Sequence, residues 1–198
     1  LLVPALLVMS ASGEVQVEFS AFELAGCMNF VVLGVLLLFA ATAEEIVFRG
    51  YGFSWFCRSV GLGLWEVARR MGVDSHRAED LALKTGRFVP LVVISLIFGI
   101  VHMGNEGYTL LSMVNTSLAG VWLGIALFRS GAMWLPIGLH LGWNWGQGLL
   151  YGLPISGNGS DGSGVVLSSP MSMSFGGPDW LGGGAYGLEG SVGCTIAL

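Results

Sequence analysis

The sequence predicts an all-α fold: a polytopic transmembrane helical bundle with an active site between helices, inside the membrane. Three observations carry that expectation. Of 198 residues, 54% are hydrophobic and only 11% charged, against about 25% charged in soluble domains. Four long apolar segments follow one another at 22–56, 88–103, 108–128 and 132–150. Inside the first of them stand two adjacent glutamates, Glu44 and Glu45, with Arg49 a turn further on. An ionisable side chain at the centre of a bilayer costs on the order of 3 kcal/mol by insertion scales. Charges clustered there mark a site.

Each segment is justified in chain order. Residues 1–21 are expected to hold a truncated span and an external loop, because the apolar start lacks the basic flank of a signal peptide. Segment 22–56 is too long for one straight helix across roughly 30 Å of hydrocarbon. A helix reaching the glutamates and then bending near Gly50 or Gly52 into an interfacial extension accounts for its length. The polar connection 57–87 carries Arg58, Arg69, Arg70, Arg77, Lys84 and Arg87, most of the chain's eight basic residues. The positive-inside rule makes it cytoplasmic, and Arg129 returns to the same side. Glu14, Glu18, Glu23 and Glu106 then fall opposite, so the orientation is free of conflict. Residues 22–151 form the core, 152–190 read as a Gly/Ser/Pro-rich external loop around Gly157–Gly164, and 191–198 as the start of a truncated final span.

The spans contain more polar residues than packing needs. His102 follows Phe98 by four positions, and His140 precedes Asn144 by four, so each pair shares a helix face. Glu45 and Arg49 have the same spacing, in the order that suits an intrahelical ion pair. Glu44 is rotated away and has no dedicated cation on its own helix, since Arg49 is matched with Glu45. At ~1.5 Å per residue, Glu44, His102, His140 and Asn144 all lie ~16–22 Å from the cytoplasmic ends of their spans. Buried polar groups need partners, and at a common depth these four supply one another.

Taken singly, most of these residues have a plainer reading. A lone intramembrane histidine or asparagine commonly joins two helices, and Glu45 with Arg49 reads as a structural pair. His76 falls in the polar connection and reads as solvated. Trp55, Trp65, Trp143 and Trp145 read as packing or interface anchors. Cys27, Cys57 and Cys194 are scattered, form no metal or disulfide pattern, and read as small apolar residues. Glu44 has no such reading.

Two chemistries suit the set. A carboxylate and a histidine beside one water form a general base for attack on a carbonyl, and a second histidine with an asparagine amide supplies donors to the oxyanion. Alternatively, Glu44, His102 and His140 bind zinc with water in the open position. No HExxH helix is present, and no basic patch suggests nucleic acid.

The motifs Glu44-Glu45-x-x-x-Arg49, Phe98-x-x-x-His102 and His140-x-x-x-Asn144, in this order on separate spans, resemble those of the CPBP family. That family comprises the type II CAAX prenyl endopeptidases and the bacterial Abi proteins of bacteriocin processing and immunity. The resemblance covers about 30–150. It extends to the tail, where Gly177-Pro178-Asp179-Trp180-Leu181 and Glu189-Gly190-Ser191 are similar to a segment that many bacterial members carry before a last span. It implies an integral-membrane endopeptidase, expected in a bacterial plasma membrane, acting on a peptide or protein substrate at or in the bilayer. By the same resemblance Glu44 and His102 activate water, His140 and Asn144 stabilise the oxyanion, and Glu45, Arg49 and Phe98 support the geometry. The metal-free version is favoured, since the motif asparagine suits an oxyanion hole better than a zinc site, and it requires no cofactor. The resemblance implies a reaction class and leaves the substrate, prenylated or not, open. The competing class is a non-catalytic membrane immunity or scaffold protein that keeps the motifs for structure. A proton-coupled transporter is a third and weaker reading, because no repeated halves are visible.

Overall fold

The structure, a computed structural model, describes residues 2–12, 15–19, 24–159 and 169–198. Glu14, Glu23, the Phe22 start of the first apolar segment and residues 160–164 of the glycine-rich run lie outside the described residues.

Helix α1 (Leu2–Ser12) is followed by strand β1 (Val15–Phe19), and then by the long helices α2 (Leu24–Arg49), α3 (Tyr51–Arg70), α4 (Ser75–Val101) and α5 (Leu110–Ser130). Among the described residues, three stretches are long and apolar enough to cross a membrane: Phe30–Arg70, Ser75–Gly104 and Leu110–Ser130. On α2 the side chains of Val31, Val32, Leu36, Phe39 and Val47 are exposed, as the flank of a helix facing lipid is. The anticipated bend falls at Gly50, between α2 and α3. Its N–H still donates to the Ile46 carbonyl, but a Cβ there would stand 2.2 Å from that oxygen. Only glycine fits the corner.

The connection 57–87 is not a loop, which corrects the reading of its charge as a polar linker. It is the hairpin of α3 and the first turns of α4. The charged residues sit at helical spacing, and Glu66 with Arg70 and Asp80 with Lys84 each form an i,i+4 pair at 2.8 Å. The turn places Gly72 at φ 76°, and Asp74 caps α4 by accepting from the N–H groups of His76 and Arg77. His76 is exposed, as expected, but lies on the first turn of a helix. Further along, α3 and α4 touch backbone to backbone. A Cβ on Gly86 would lie 2.8 Å from Gly61 Cα.

The fourth apolar segment is a short α-helix, α6 (Trp134–Asn144), continued by a π-helical turn over Trp145–Leu150. Widening of this kind occurs most often near functional sites. α4 packs on α5, while α6 packs against both α2 and α5.

The Gly/Ser/Pro-rich segment is more ordered than its composition suggests. Strand β2 (Met171–Phe175) pairs antiparallel with β1, Val15 opposite Phe175 and Phe19 opposite Met171, so a two-stranded ribbon accompanies the helices. Helix α7 (Asp179–Gly182), two 3₁₀ turns and helix α8 (Val192–Ala197) then return across α1 and α5. Glycine is required here for close approach. Gly187 has φ 93°, and a Cβ on it would come within 2.0 Å of the Pro154 carbonyl.

Gly86→Val is expected to force α3 from α4 and cost about 1–3 kcal/mol or more, the usual range for overpacking. Gly63→Ala, with nothing within 4 Å of its Cβ position, is expected to be neutral or stabilising by up to ~1 kcal/mol. Thermal unfolding of the detergent-solubilised protein checks both.

Candidate active site

Arg49, the last residue of α2, is 1% exposed, and Glu45 one turn before it is 0% exposed. Arg49 Nη1 donates to Glu45 Oε1 at 3.0 Å and Nη2 to the Gly120 carbonyl of α5 at 3.1 Å. The guanidinium also stands over the Phe98 ring, 4.4 Å from its centroid. The i,i+4 spacing therefore forms the expected pair, and the pair reaches two further helices. Gly120 makes this possible, since a Cβ there would lie 3.2 Å from Nη2.

The pair has a third member. His140 Nδ1 on α6 meets the same Glu45 Oε1 at 2.9 Å. An ionised carboxylate only accepts, so Nδ1 carries the proton and Nε2 is left for other contacts. Glu45 is thus more than a counter-ion: it orients a histidine. His102 is set by the same logic. The α4 helix ends at Val101, His102 opens a 3₁₀ turn, and its Nδ1 donates to the Phe98 carbonyl at 2.6 Å. Its Nε2 is likewise left over. Phe98 packs edge-on against His102, His140 and Phe48, with ring centroids 4.9, 6.1 and 5.0 Å away.

Glu44 points away from this pair, as its one-residue rotation requires. It lines a cavity together with Phe98, His102, His140 and Asn144, so the four residues expected at one depth do meet in one space. His140 and Asn144 are both buried. Glu44 Oε2 lies 3.8 Å from His140 Nε2, too far for a hydrogen bond, and is a buried oxygen without a partner. The cavity offers about 90 Å³ to water-sized molecules, well above the roughly 10–15 Å³ that one water needs. The cavity that Glu44 helps to line therefore has room for water.

Glu44, His102 and His140 were also candidates for zinc ligands. Both histidines have their Nδ1 engaged and Nε2 free, the arrangement of metal-bound imidazoles. Yet among the described residues no three His, Cys, Asp or Glu side chains stand close enough together to hold a metal ion. As placed, the three side chains are not gathered around one metal-binding point.

The far wall of the cavity comes from the tail. Ser156, Asn158 and Glu189 line it, along with Trp143. Glu189 is 5% exposed and accepts from Trp143 Nε1 at 3.1 Å, Gln147 Nε2 at 2.6 Å and Ser156 Oγ at 3.2 Å. Burial pushes its carboxyl above the usual range, and the bonds from Gln147, Trp143 and Ser156 pull it back. Asn115 of α5 is fully buried, and its amide donates to the carbonyls of Glu189 and Ser191 at 2.8 Å each. Neither Glu189 nor Asn115 was singled out for this role by spacing. The signal for Asn115 is an amide inside an apolar span. Glu189 carries none in its glycine-rich surroundings, apart from the motif likeness already noted.

Removing Arg49 leaves Glu45 buried without its cation. Arg49→Ala is expected to destabilise the protein by about 3–5 kcal/mol, whereas truncating the exposed Arg70 of the Glu66 pair costs under ~1 kcal/mol. Melting temperatures of the two variants check the contrast.

The family description type II CAAX prenyl endopeptidase Rce1-like matches residues 26–146, which contain every one of the motif residues. No curated protein and no solved structure matches the chain. The match spans more than half of the sequence and agrees with three helices able to cross a bilayer. The chain is an integral membrane protein and belongs to the Rce1-like family of type II CAAX prenyl endopeptidases.

Proposed function

We propose that the protein is a membrane endopeptidase that hydrolyses a peptide bond with a water activated by Glu44 and His102. The single observation that carries this reading is that Glu44, one of whose carboxylate oxygens has no hydrogen-bond partner, lines a cavity roomy enough for water beside two oriented histidines. In the reaction, Glu44 takes a proton from the water as its oxygen attacks the scissile carbonyl. His102, held through Nδ1, assists at the same water through Nε2. The carbonyl oxygen becomes an anion, and the Asn144 amide and an Nε2-protonated His140 donate to it. Glu45 stands 2.9 Å from one nitrogen of that ring and Glu44 3.8 Å from the other. Glu44 then passes its proton to the departing amine, so the bond breaks to a carboxylic acid, which keeps the second water proton, and an amine.

The substrate class follows from the setting: a peptide or protein segment that reaches the cavity at or within the bilayer. The six basic residues of 57–87 favour the cytoplasmic side for the α3–α4 hairpin. A zinc-assisted route through Glu44, His102 and His140 is the competing mechanism for the same reaction.

Glu44→Gln and His102→Ala are expected to abolish cleavage while leaving the protein inserted and folded. Comparing membrane proteomes of wild-type and Glu44→Gln cells for new peptide termini reads this directly, and wild-type levels of cleavage in either variant would sink the proposal. Asn144→Ala is expected to lower kcat about 10²–10³-fold, the usual effect of losing one oxyanion donor. Activity that survives exhaustive chelation, in protein whose metal analysis shows no zinc, separates the metal-free route from the zinc route.

A further inference from the structure

Beyond the residues of the three span motifs, one buried carboxyl group in the cavity wall has no role in the reaction just described. The Glu189 carboxylate is paired with no Lys, Arg or His among the described residues. It is held by three neutral donors, two of them from the end of α6 and the π turn beyond it.

We infer that Glu189 is a positioning residue whose carboxylate locks the Trp143 indole as the cavity wall beside Asn144, and so sets how the substrate's side chains fit next to the scissile bond. This rests on the peptidase reading of the site.

The first support is where Trp143 sits. It lines the cavity, precedes Asn144 by one residue and follows His140 by three. A swing of its indole changes the space next to both. The helix itself does little to prevent that swing. α6 has 11 residues, and its backbone loosens into a π turn immediately after Asn144. The bond from Trp143 Nε1 to Glu189 Oε1 ties the ring to a different part of the chain, and Gln147, one turn on, holds the other oxygen of the same carboxylate.

The second support separates positioning from tail docking. The backbone around Glu189 is already fastened by Asn115, whose amide binds the carbonyls of Glu189 and Ser191 and whose Oδ1 accepts from Thr195. Tyr186 adds bonds to Thr116 and to the N–H of Gly157. None of these uses the Glu189 side chain. The carboxylate is therefore not what docks the tail; its partners are Trp143, Gln147 and Ser156.

The test uses the full chain in lipid nanodiscs, with a fluorogenic peptide library carrying or lacking a prenylated cysteine as the source of substrate. Glu189→Gln keeps the volume but turns an amide N–H₂ toward a donor. It is expected to raise KM about tenfold, the scale of a modest misplacement, while kcat stays within about threefold because the water-activating groups are untouched. Trp143→Phe removes only the Nε1–H anchor and part of the ring, and is expected to raise KM similarly. The double variant is expected to be no worse than the more affected single one, since the two residues act as one unit. A readout free of catalysis accompanies these. Hydrogen exchange at the Trp143 indole N–H, assigned by its loss in Trp143→Phe, is expected to quicken about tenfold or more in Glu189→Gln.

Wild-type KM together with unchanged indole exchange in Glu189→Gln overturns the inference, as do KM effects that multiply in the double variant. If Glu189→Gln fails to fold, Trp143→Phe decides: a wild-type KM there overturns the inference. If the wild-type protein cleaves no peptide, the peptidase reading fails on its own, and unchanged indole exchange would still overturn the positioning of Trp143.

Discussion

One carboxylate oxygen joins three helices. Glu45 Oε1 of α2 accepts from Arg49 Nη1 and from His140 Nδ1 of α6, while Arg49 Nη2 reaches the Gly120 carbonyl of α5. Burying such a pair removes two charges from water, and the cost is offset only when geometry is good and the remaining donors are used. Here the guanidinium has a carboxylate, a carbonyl and the face of Phe98. The arrangement also requires a glycine at 120 and a corner at Gly50, because the guanidinium lies at the end of α2 in contact with the neighbouring helix. The orientation of His140, the position of Phe98 and the direction of Glu44 all follow from that contact.

Adjacent glutamates thereby acquire opposite circumstances. Consecutive residues on an α-helix point about 100° apart. Glu45 faces inward and holds two partners through one oxygen, whereas the Glu44 side chain is 38% exposed toward the cavity, with one oxygen buried and unpartnered. A pair of charges in a membrane span thus divides into one that stabilises a junction and one left for chemistry. The two histidines repeat the division within a single ring: Nδ1 is committed to structure, and Nε2 is left over. Preorganisation of this kind lets a polar site operate where little water is available to solvate developing charge.

The tail completes the site through polar contacts in an otherwise apolar body. Asn115, Thr116, Trp143 and Gln147 on the helices meet Tyr186, Glu189 and Ser191 on the returning segment. Buried groups of this sort are tolerated only when nearly all are satisfied. The glycines of the segment serve that purpose: they let its backbone approach Pro154 and the helices closely enough for the bonds to form. Low complexity in the sequence corresponds here to tight packing.

The sequence by itself determined the helical membrane class, a bend near Gly50 or Gly52, the Glu45–Arg49 pair and the meeting of Glu44, His102, His140 and Asn144. Each of these rests on spacing within a helix or on the cost of burying a charge, and both are local properties. It also carried the family motifs between residues 26 and 146. What it misjudged were places where composition stands in for structure. The charged connection 57–87 is helical because its charges pair at i,i+4, and the glycine-rich tail includes a strand and a cavity wall. Tertiary structure alone decided that Glu45 binds His140, that α6 widens after Asn144, and that Glu189 meets Trp143. Those contacts join residues from 46 to 95 positions apart. No periodicity in a chain encodes such pairings; they arise when helices crossing at fixed depths bring unsatisfied donors and acceptors within reach.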